Sequence, residues 1–185
     1  MSEPLAERMR PQTLDEYVGQ QHLVGEGAVL RRMLESGRIP SFILWGPPGV
    51  GKTTLARIVA RQLKVPFYTL SAVTSGVKEV REVIERAKNS SFFNTTSPIL
   101  FIDEIHRFSK SQQDTLLGAV EHGTVTLIGA TTENPSFEVI RPLLSRCQVY
   151  VLKPLDKQDL QRLLERAITE DAELSKKHIE LKETG

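Results

Sequence analysis

A glycine-rich stretch with one lysine and one threonine, GPPGVGKT at residues 46–53, has the spacing of a loop that holds phosphate groups. Glycines let the backbone N–H groups point at phosphate oxygens in conformations that a Cβ atom would obstruct. Lys52 is expected to reach the β- and γ-phosphates, and the Thr53 hydroxyl is expected to bind Mg²⁺. The residues expected to bind the nucleotide are Gly46, Pro47, Pro48, Gly49, Val50, Gly51, Lys52, Thr53 and Thr54.

Two adjacent acids end the most apolar stretch of the chain, ILFIDE at residues 99–104. Asp103 is expected to hold Mg²⁺, directly or through a metal-bound water. Glu104 is expected to orient or deprotonate the water that attacks the γ-phosphate. Adjacent acids at a strand end can also be solvated turn residues, but the phosphate-binding motif upstream favours the catalytic interpretation. We predict that the nearby His106 serves packing rather than catalysis.

A further polar group follows the next apolar stretch, in GATTEN at residues 129–134. Ligands of parallel sheets bind at the carboxyl ends of the strands, so a hydroxyl here can contact the γ-phosphate or the attacking water. We predict Thr132 as this sensing residue, with Thr131 as the alternative. Turn chemistry accounts for Asn134 without a nucleotide.

Short apolar runs alternate with amphipathic stretches, which predicts strands alternating with helices. Strands that are apolar throughout are typical of a parallel sheet covered on both faces, so we expect an α/β fold. Strands are predicted at 41–45, 67–71, 97–103, 124–131 and 148–152, and helices at 27–37, 53–64, 77–89, 109–123 and 156–171. The first 25 residues are polar and contain interspersed prolines and glycines. This composition predicts an extended arm with short turns.

The composition is that of an ordinary soluble domain, with 39% hydrophobic residues, 25% charged residues and a formal net charge of +1. Because the net charge is close to zero, a nucleic-acid partner would have to bind a local cluster of positive charge. Neither a long apolar run nor a signal-peptide core is present, which predicts a cytoplasmic protein without a membrane partner. Cys147 is the only cysteine. We predict that it is a small, partly buried apolar residue.

The order of these motifs resembles that of the AAA+ ATPases, which carry a phosphate loop, an acidic strand end, a polar strand end and then a Ser-Arg pair. More narrowly, RPQTLDEYVGQQHLVG, LWGPPGVGKTTLA, FIDEIHRFSKSQQD, TLIGATTENPSF and LLSRC resemble the replication-associated recombination protein A family, whose eukaryotic relatives are the Werner-helicase-interacting proteins. The resemblance runs from about Arg8 to Ile168. This clade is similar to clamp loaders and to the Holliday-junction branch-migration motor.

The resemblance implies a P-loop NTPase (AAA+) core followed by the start of a helical lid. Residues 1–25 would form an N-terminal arm and adenine-contacting segment, with the backbone of Val18 and Gly19 at the base. Residues 26–153 would be the nucleotide-binding core, and residues 154–185 the first part of a truncated lid. Arg146 would be an arginine finger that reaches into the nucleotide site of a neighbouring subunit, with Arg141 a weaker candidate for the subunit interface.

The resemblance also implies DNA as a partner. The helix at 77–89 is similar to a clamp-loader helix whose start faces the central channel. Its N-terminal N–H groups, with Ser75, Gly76 and Lys78, are candidates for a DNA phosphate, as is Lys110. Solvated surface lysines are the alternative interpretation.

The predicted function is the Mg-ATP-binding and hydrolysing core of an oligomeric, DNA-dependent ATPase in replication-fork maintenance, recombination and repair, where replication or repair proteins would be further partners. One alternative is a nucleotide-switched binding or recruiting module with little turnover of its own. Another is a protein-remodelling ATPase. The absence of an aromatic residue from SAVTSGVK, at residues 71–78, argues against polypeptide threading.

Overall fold

A computed structural model describes residues 4–90 and 96–171 of the chain. The predicted lid residues 172–185 lie outside these described residues. None of the helices in the described part of the chain has the length and hydropathy of a membrane-spanning segment.

A parallel sheet forms the centre of the molecule, as predicted. Its five strands are β1 (Phe42–Trp45), β2 (Phe67–Ser71), β3 (Ile99–Asp103), β4 (Thr126–Thr131) and β5 (Gln148–Val151). They lie in the order β2-β3-β4-β1-β5, and every neighbouring pair is parallel. The carboxyl ends of all the strands therefore meet at one edge of the sheet, where the phosphate-binding motif follows β1.

The long helices match the predicted ones within a few residues. They are α3 (Val29–Ser36), α4 (Lys52–Leu63), α5 (Val77–Ser90), α6 (Lys110–Glu121) and α9 (Lys157–Glu170). Helix α6 begins with a capping box, in which the Ser109 hydroxyl accepts from the Gln112 N–H and the Gln112 side chain accepts from the Ser109 N–H. Gly37 ends α3 in the left-handed conformation, as expected for a C-terminal glycine.

Short helical turns were missed by the periodicity, because a single turn is too short to show a repeating apolar stripe. Two of them lie in the N-terminal segment and two lie between β4 and β5. A short 3-10 turn directly follows Glu104. These elements are α1 (Leu5–Arg8), α2 (Gln21–Val24), α7 (Pro135–Glu138), α8 (Arg141–Leu144) and the 3-10 helix Ile105–Arg107.

Two apolar cores lie on the two faces of the sheet. Successive strand side chains point to opposite faces, so Phe42 and Leu44 of β1 pack into one core and Ile43 packs into the other. The first core holds α3 and α4, and the second holds α5, α6 and Leu143 of α8. The sheet is therefore covered on both faces, which fixes the loops at its carboxyl edge on a rigid support.

The N-terminal segment packs against this scaffold, so the prediction of an extended arm is corrected. Leu14, Tyr17, Leu23 and Val24 are all buried in the first core. The Gln20 side chain also donates to the Lys153 carbonyl at 2.7 Å and accepts from the Lys153 N–H at 2.8 Å. Sequence patterns in a polar segment with few apolar residues do not show such long-range contacts.

Candidate functional site

Three loops meet at the carboxyl edge of the sheet and enclose a cleft of about 320 Å³. One is the phosphate loop, residues 46–53 after β1; the others follow β3 and β4. The strands that precede these loops are neighbours, in the order β3-β4-β1, which brings the three predicted motifs together. The cleft is lined by Pro48, Gly49, Gly51, Lys52, Thr53, Thr54, Asp103, Glu104, Thr131 and Thr132.

The phosphate loop is shaped by glycine conformations that other residues rarely adopt. Gly49 and Gly51 have φ angles of +79° and +88°. Helix α4 begins directly after Gly51, so its unpaired N-terminal N–H groups and the positive end of its dipole lie at the cleft. This arrangement of turned backbone and helix start can bind an anion such as a phosphate group.

Lys52 carries the positive charge of the cleft. Its Nζ donates hydrogen bonds to the carbonyl oxygens of Gly46 at 2.7 Å and Pro47 at 2.8 Å. Partial burial lowers the pKa of the Lys52 ammonium, and the nearby Asp103 carboxylate opposes that shift. An ammonium bonded to loop carbonyls at the cleft is placed to meet the charge of a bound phosphate.

The two acids of the cleft differ in their backbone geometry. Asp103 is the last residue of β3 and is exposed. Glu104 follows it in the left-handed conformation, with φ 53° and ψ 47°, which is strained for a residue with a side chain. The Glu104 carboxylate lies 3.4 Å from Nε of Arg107. This turn places both carboxylates beside the phosphate loop.

The two threonines after β4 have different surroundings, although both line the cleft. Thr131 is buried, and its hydroxyl is hydrogen-bonded to Nδ1 of His106 at 2.9 Å and accepts from the Glu133 N–H at 2.9 Å. Thr132 is exposed. The packing role of His106 stays a prediction. The Asn134 side chain caps α7, as turn chemistry predicted.

Arg146 lies at the amino ends of the strands, whereas the cleft lies at their carboxyl ends. It precedes β5, whose first residue, Gln148, pairs with the first residue of β1. The phosphate loop follows the other end of β1, roughly 13 Å away for a strand of this length. The Arg146 side chain is 53% exposed, and its guanidinium lies 3.8 Å from the Glu121 carboxylate. Arg146 is therefore not brought to the cleft of its own chain.

The two lysines predicted to contact DNA lie at the starts of two helices that pack together. Lys78 and Lys110 are exposed in the first turns of α5 and α6, which pack together. The Gln112 side chain donates to the carbonyl of Ser75 and so joins the starts of the two helices. The Gly76 N–H is bonded to the Glu79 carboxylate at 2.7 Å, so this N–H group already has an anionic partner.

Gly19, predicted at the adenine together with Val18, lies beside the start of α9. Gly19 has a φ angle of +86°, and a Cβ atom there would lie 2.8 Å from Leu155 Cδ2. Neither residue is among those that line the cleft. Their contact with a base stays a prediction.

Sequence reasoning missed the side chain that contacts the phosphate loop from the N-terminal segment. The Tyr17 hydroxyl donates to the Val50 carbonyl at 2.7 Å. The only sequence signal was an aromatic residue in an otherwise polar stretch, and it does not identify a partner so distant in the chain.

The start of the phosphate loop has no room for a side chain, which gives a stability prediction. A Cβ atom at Gly46 would lie 2.7 Å from Leu152 Cβ and 2.9 Å from the Leu152 carbonyl oxygen. We expect Gly46→Ala to destabilise the fold by about 1–3 kcal/mol in urea denaturation, because backbone must shift. Gly118→Ala is the control, since no atom lies near its Cβ in α6, and it should stabilise the protein by about 0.5–1 kcal/mol. Equal stabilities of the two variants would contradict this packing.

Cys147 packs against the second core as an apolar residue, and burial raises the pKa of its thiol to about 11. A raised pKa leaves less thiolate at a given pH, and the thiolate is the reactive form. We expect alkylation by iodoacetamide at about pH 8 to be at least about a hundredfold slower in the native protein than in the unfolded protein. Equal rates, measured by mass spectrometry, would show that the thiol is not protected.

Comparisons with known proteins agree with this geometry. The family model of the ATPase family associated with various cellular activities (AAA) matches residues 42–155. The chain is 55% identical over 166 residues to replication-associated recombination protein A of Escherichia coli strain K12. This alignment covers 90% of this chain and 37% of that protein. It is 51% identical over 165 residues to ATPase WRNIP1 of Dictyostelium discoideum. That alignment covers 89% of this chain and 19% of the WRNIP1 protein.

A solved structure of the RuvB Holliday junction branch migration motor of Thermotoga maritima matches with a TM-score of 0.71 at 30% identity. The match covers 88% of this chain and 54% of that chain. The matched range of the family model spans the parallel sheet and the phosphate loop. The chain thus belongs to the AAA family of ATPases and resembles the replication-associated recombination proteins within it.

Proposed function

We propose that this chain is the Mg-ATP-binding and hydrolysing core of an oligomeric, DNA-dependent ATPase that acts in the cytoplasm in replication-fork maintenance, recombination and repair. The observation that carries the proposal is the cleft, in which Lys52, Thr53, Asp103 and Glu104 meet. A lysine, a hydroxyl and two carboxylates at a helix start are the groups that ATP hydrolysis requires.

The residues of the cleft have different proposed roles, which follow from the chemistry of their side chains. Lys52 and the N–H groups of the phosphate loop bind the phosphates. Thr53 and Asp103 fit Mg²⁺, because a hydroxyl and a carboxylate are the oxygen ligands that this ion prefers. Bound Mg²⁺ would neutralise the charge of the β- and γ-phosphates. Glu104 orients the attacking water and accepts its proton.

Thr132 is the sensing residue in this proposal. The Thr131 hydroxyl already has partners in His106 and Glu133, whereas Thr132 is exposed at the cleft. A hydroxyl there can donate to the γ-phosphate or to the attacking water.

Arg146 completes the site of a neighbouring subunit. Its position at the far edge of its own sheet, exposed and only loosely paired with Glu121, supports an action outside its own chain. A guanidinium stabilises the charge that develops on the γ-phosphate oxygens in the transition state. Arg141, exposed at the start of α8, is a second candidate for the subunit interface.

DNA is the proposed partner for two reasons. Lys78 and Lys110 are exposed at helix starts that lie side by side, so they can contact the same phosphate backbone. The similar proteins are named for recombination and for branch migration at Holliday junctions. Because the chain spans 37% of the Escherichia coli relative, DNA action is a property of the whole protein in this proposal.

The test is ATP hydrolysis by the full-length protein with and without forked or gapped DNA, at a fixed salt concentration because phosphate contacts depend on salt. We expect DNA to increase turnover, and we expect a Lys78→Ala, Lys110→Ala double variant to reduce that increase while basal turnover stays the same. ATP binding without DNA-responsive turnover would contradict the proposal and favour a nucleotide-switched recruiting module.

A further inference from the structure

Tyr17 is a buried aromatic residue of the N-terminal segment that contacts the phosphate loop. Its side chain is 5% exposed, and its hydroxyl donates to the Val50 carbonyl at 2.7 Å and lies 3.3 Å from the Gly51 carbonyl. The ring fills the space beside Gly51, where a Cβ atom would lie 3.1 Å from Tyr17 Cε2. The phenol thus meets the loop through both a hydrogen bond and close packing.

The hydrogen bond acts on a peptide group that belongs to the phosphate-binding backbone. In a planar trans peptide the carbonyl of Val50 and the N–H of Gly51 point in opposite directions. Holding the Val50 carbonyl toward Tyr17 therefore directs the Gly51 N–H away from Tyr17. Gly51 has a φ angle of +88° and lines the cleft. The orientation of this loop amide thus depends on the phenol.

Tyr17 is itself held in place by the residues around it. The Glu16 carboxylate accepts from Arg166 of α9 at 3.0 Å. The Gln20 side chain makes two hydrogen bonds with the Lys153 backbone. Burial raises the pKa of the Tyr17 phenol, so the hydroxyl stays protonated and remains a donor. The loop therefore contacts a fixed donor and not a mobile side chain.

We propose that Tyr17 is a positioning residue that sets the phosphate loop for triphosphate binding through the Val50–Gly51 peptide group. This inference rests on the proposed nucleotide site. It gives Tyr17 a role at the phosphates, whereas the adjacent Val18 and Gly19 are predicted at the base. It also makes phosphate affinity depend on the N-terminal segment, which is separate from the loop in sequence.

The test measures binding of Mg-ATP and of inorganic tripolyphosphate, which has no base, to the full-length protein by calorimetry. Tyr17→Phe keeps the ring and removes the hydroxyl. We expect both ligands to bind about tenfold more weakly, because the Val50 carbonyl loses its partner. KM for ATP should rise by a similar factor while kcat stays within about twofold, since Glu104 is untouched. Tyr150→Phe is the control, because that hydroxyl lies near Met33 and makes no contact with the loop.

Two results of the binding measurements would overturn the inference. Unchanged affinities in Tyr17→Phe would remove the positioning role, and a loss for ATP but not for tripolyphosphate would place Tyr17 at the base. Failure of the unsubstituted protein to bind either ligand would instead overturn the proposed function. Hydrogen exchange provides a test without nucleotide, since amides of the phosphate loop should exchange faster in Tyr17→Phe than in Tyr150→Phe. Equal exchange would contradict the proposal.

Discussion

Glu104→Gln is expected to leave Mg-ATP affinity within about twofold and to lower the rate of hydrolysis by a factor of about 10²–10⁴, the range for loss of a general base. An amide has the size of the carboxylate but cannot accept the proton of the attacking water. Binding should persist, because the contacts with the phosphates come from Lys52 and the phosphate loop. The measurements are nucleotide titration and steady-state phosphate release by the full-length protein.

Glu133→Gln is the matched control for this substitution. Glu133 is exposed and follows the cleft residue Thr132 in the sequence. It is not itself among the residues that line the cleft. The same change of charge there should leave hydrolysis within about twofold of the unsubstituted rate, because the Glu133 side chain does not line the cleft. Full turnover by Glu104→Gln would remove the assignment of Glu104 as the base.

Arg146→Ala is expected to lower turnover by the assembled protein by a factor of about 10³–10⁵, which is the usual contribution of an arginine finger. Nucleotide affinity of the isolated subunit should stay nearly the same, because Arg146 lies at the edge of the sheet away from its own cleft. Phosphate release by the oligomer and nucleotide titration of the monomer measure the two effects separately. A large loss of affinity in the monomer would place Arg146 in its own subunit's site.

Two controls separate this role from the surface ion pair. Glu121→Gln removes the partner that lies 3.8 Å from Arg146, and an exposed pair of this kind contributes little to stability. We expect it to leave turnover unchanged. Arg32→Ala removes an exposed arginine from α3, far along the chain from the proposed interface, and should also be neutral. A loss in Glu121→Gln as large as that in Arg146→Ala would show that the ion pair is what matters.

Much of the site was predictable because its signals are local in sequence. The phosphate loop is recognised from glycine spacing between a strand and a helix, and Asp103 and Glu104 from their place at the end of an apolar strand. Parallel pairing then brings these strand ends to one edge without further information. The long helices were predictable for a similar reason, since α5 and α9 each show a repeating apolar stripe.

The features that were missed depend on contacts between distant residues. Tyr17 and Val50 are 33 residues apart, and Gln20 and Lys153 are 133 residues apart, so no local pattern predicts either hydrogen bond. The placement of β5 beside β1 was also not predicted, because chain order does not specify which strands are neighbours. The single-turn helices α7 and α8 form where proline starts a turn, and they are too short to show periodicity.

The measurement that tests the central claim most directly is ATP hydrolysis by a mixture of full-length Glu104→Gln and Arg146→Ala proteins, each inactive alone. An Arg146→Ala subunit has an intact cleft, and a Glu104→Gln neighbour supplies an intact arginine. In a random equal mixture, about a quarter of the head-to-tail interfaces join these two intact halves. We predict that mixing restores about that fraction of the unsubstituted activity. A mixture as inactive as its components, in oligomers shown to exchange subunits, would contradict the claim that Arg146 completes the site of a neighbour.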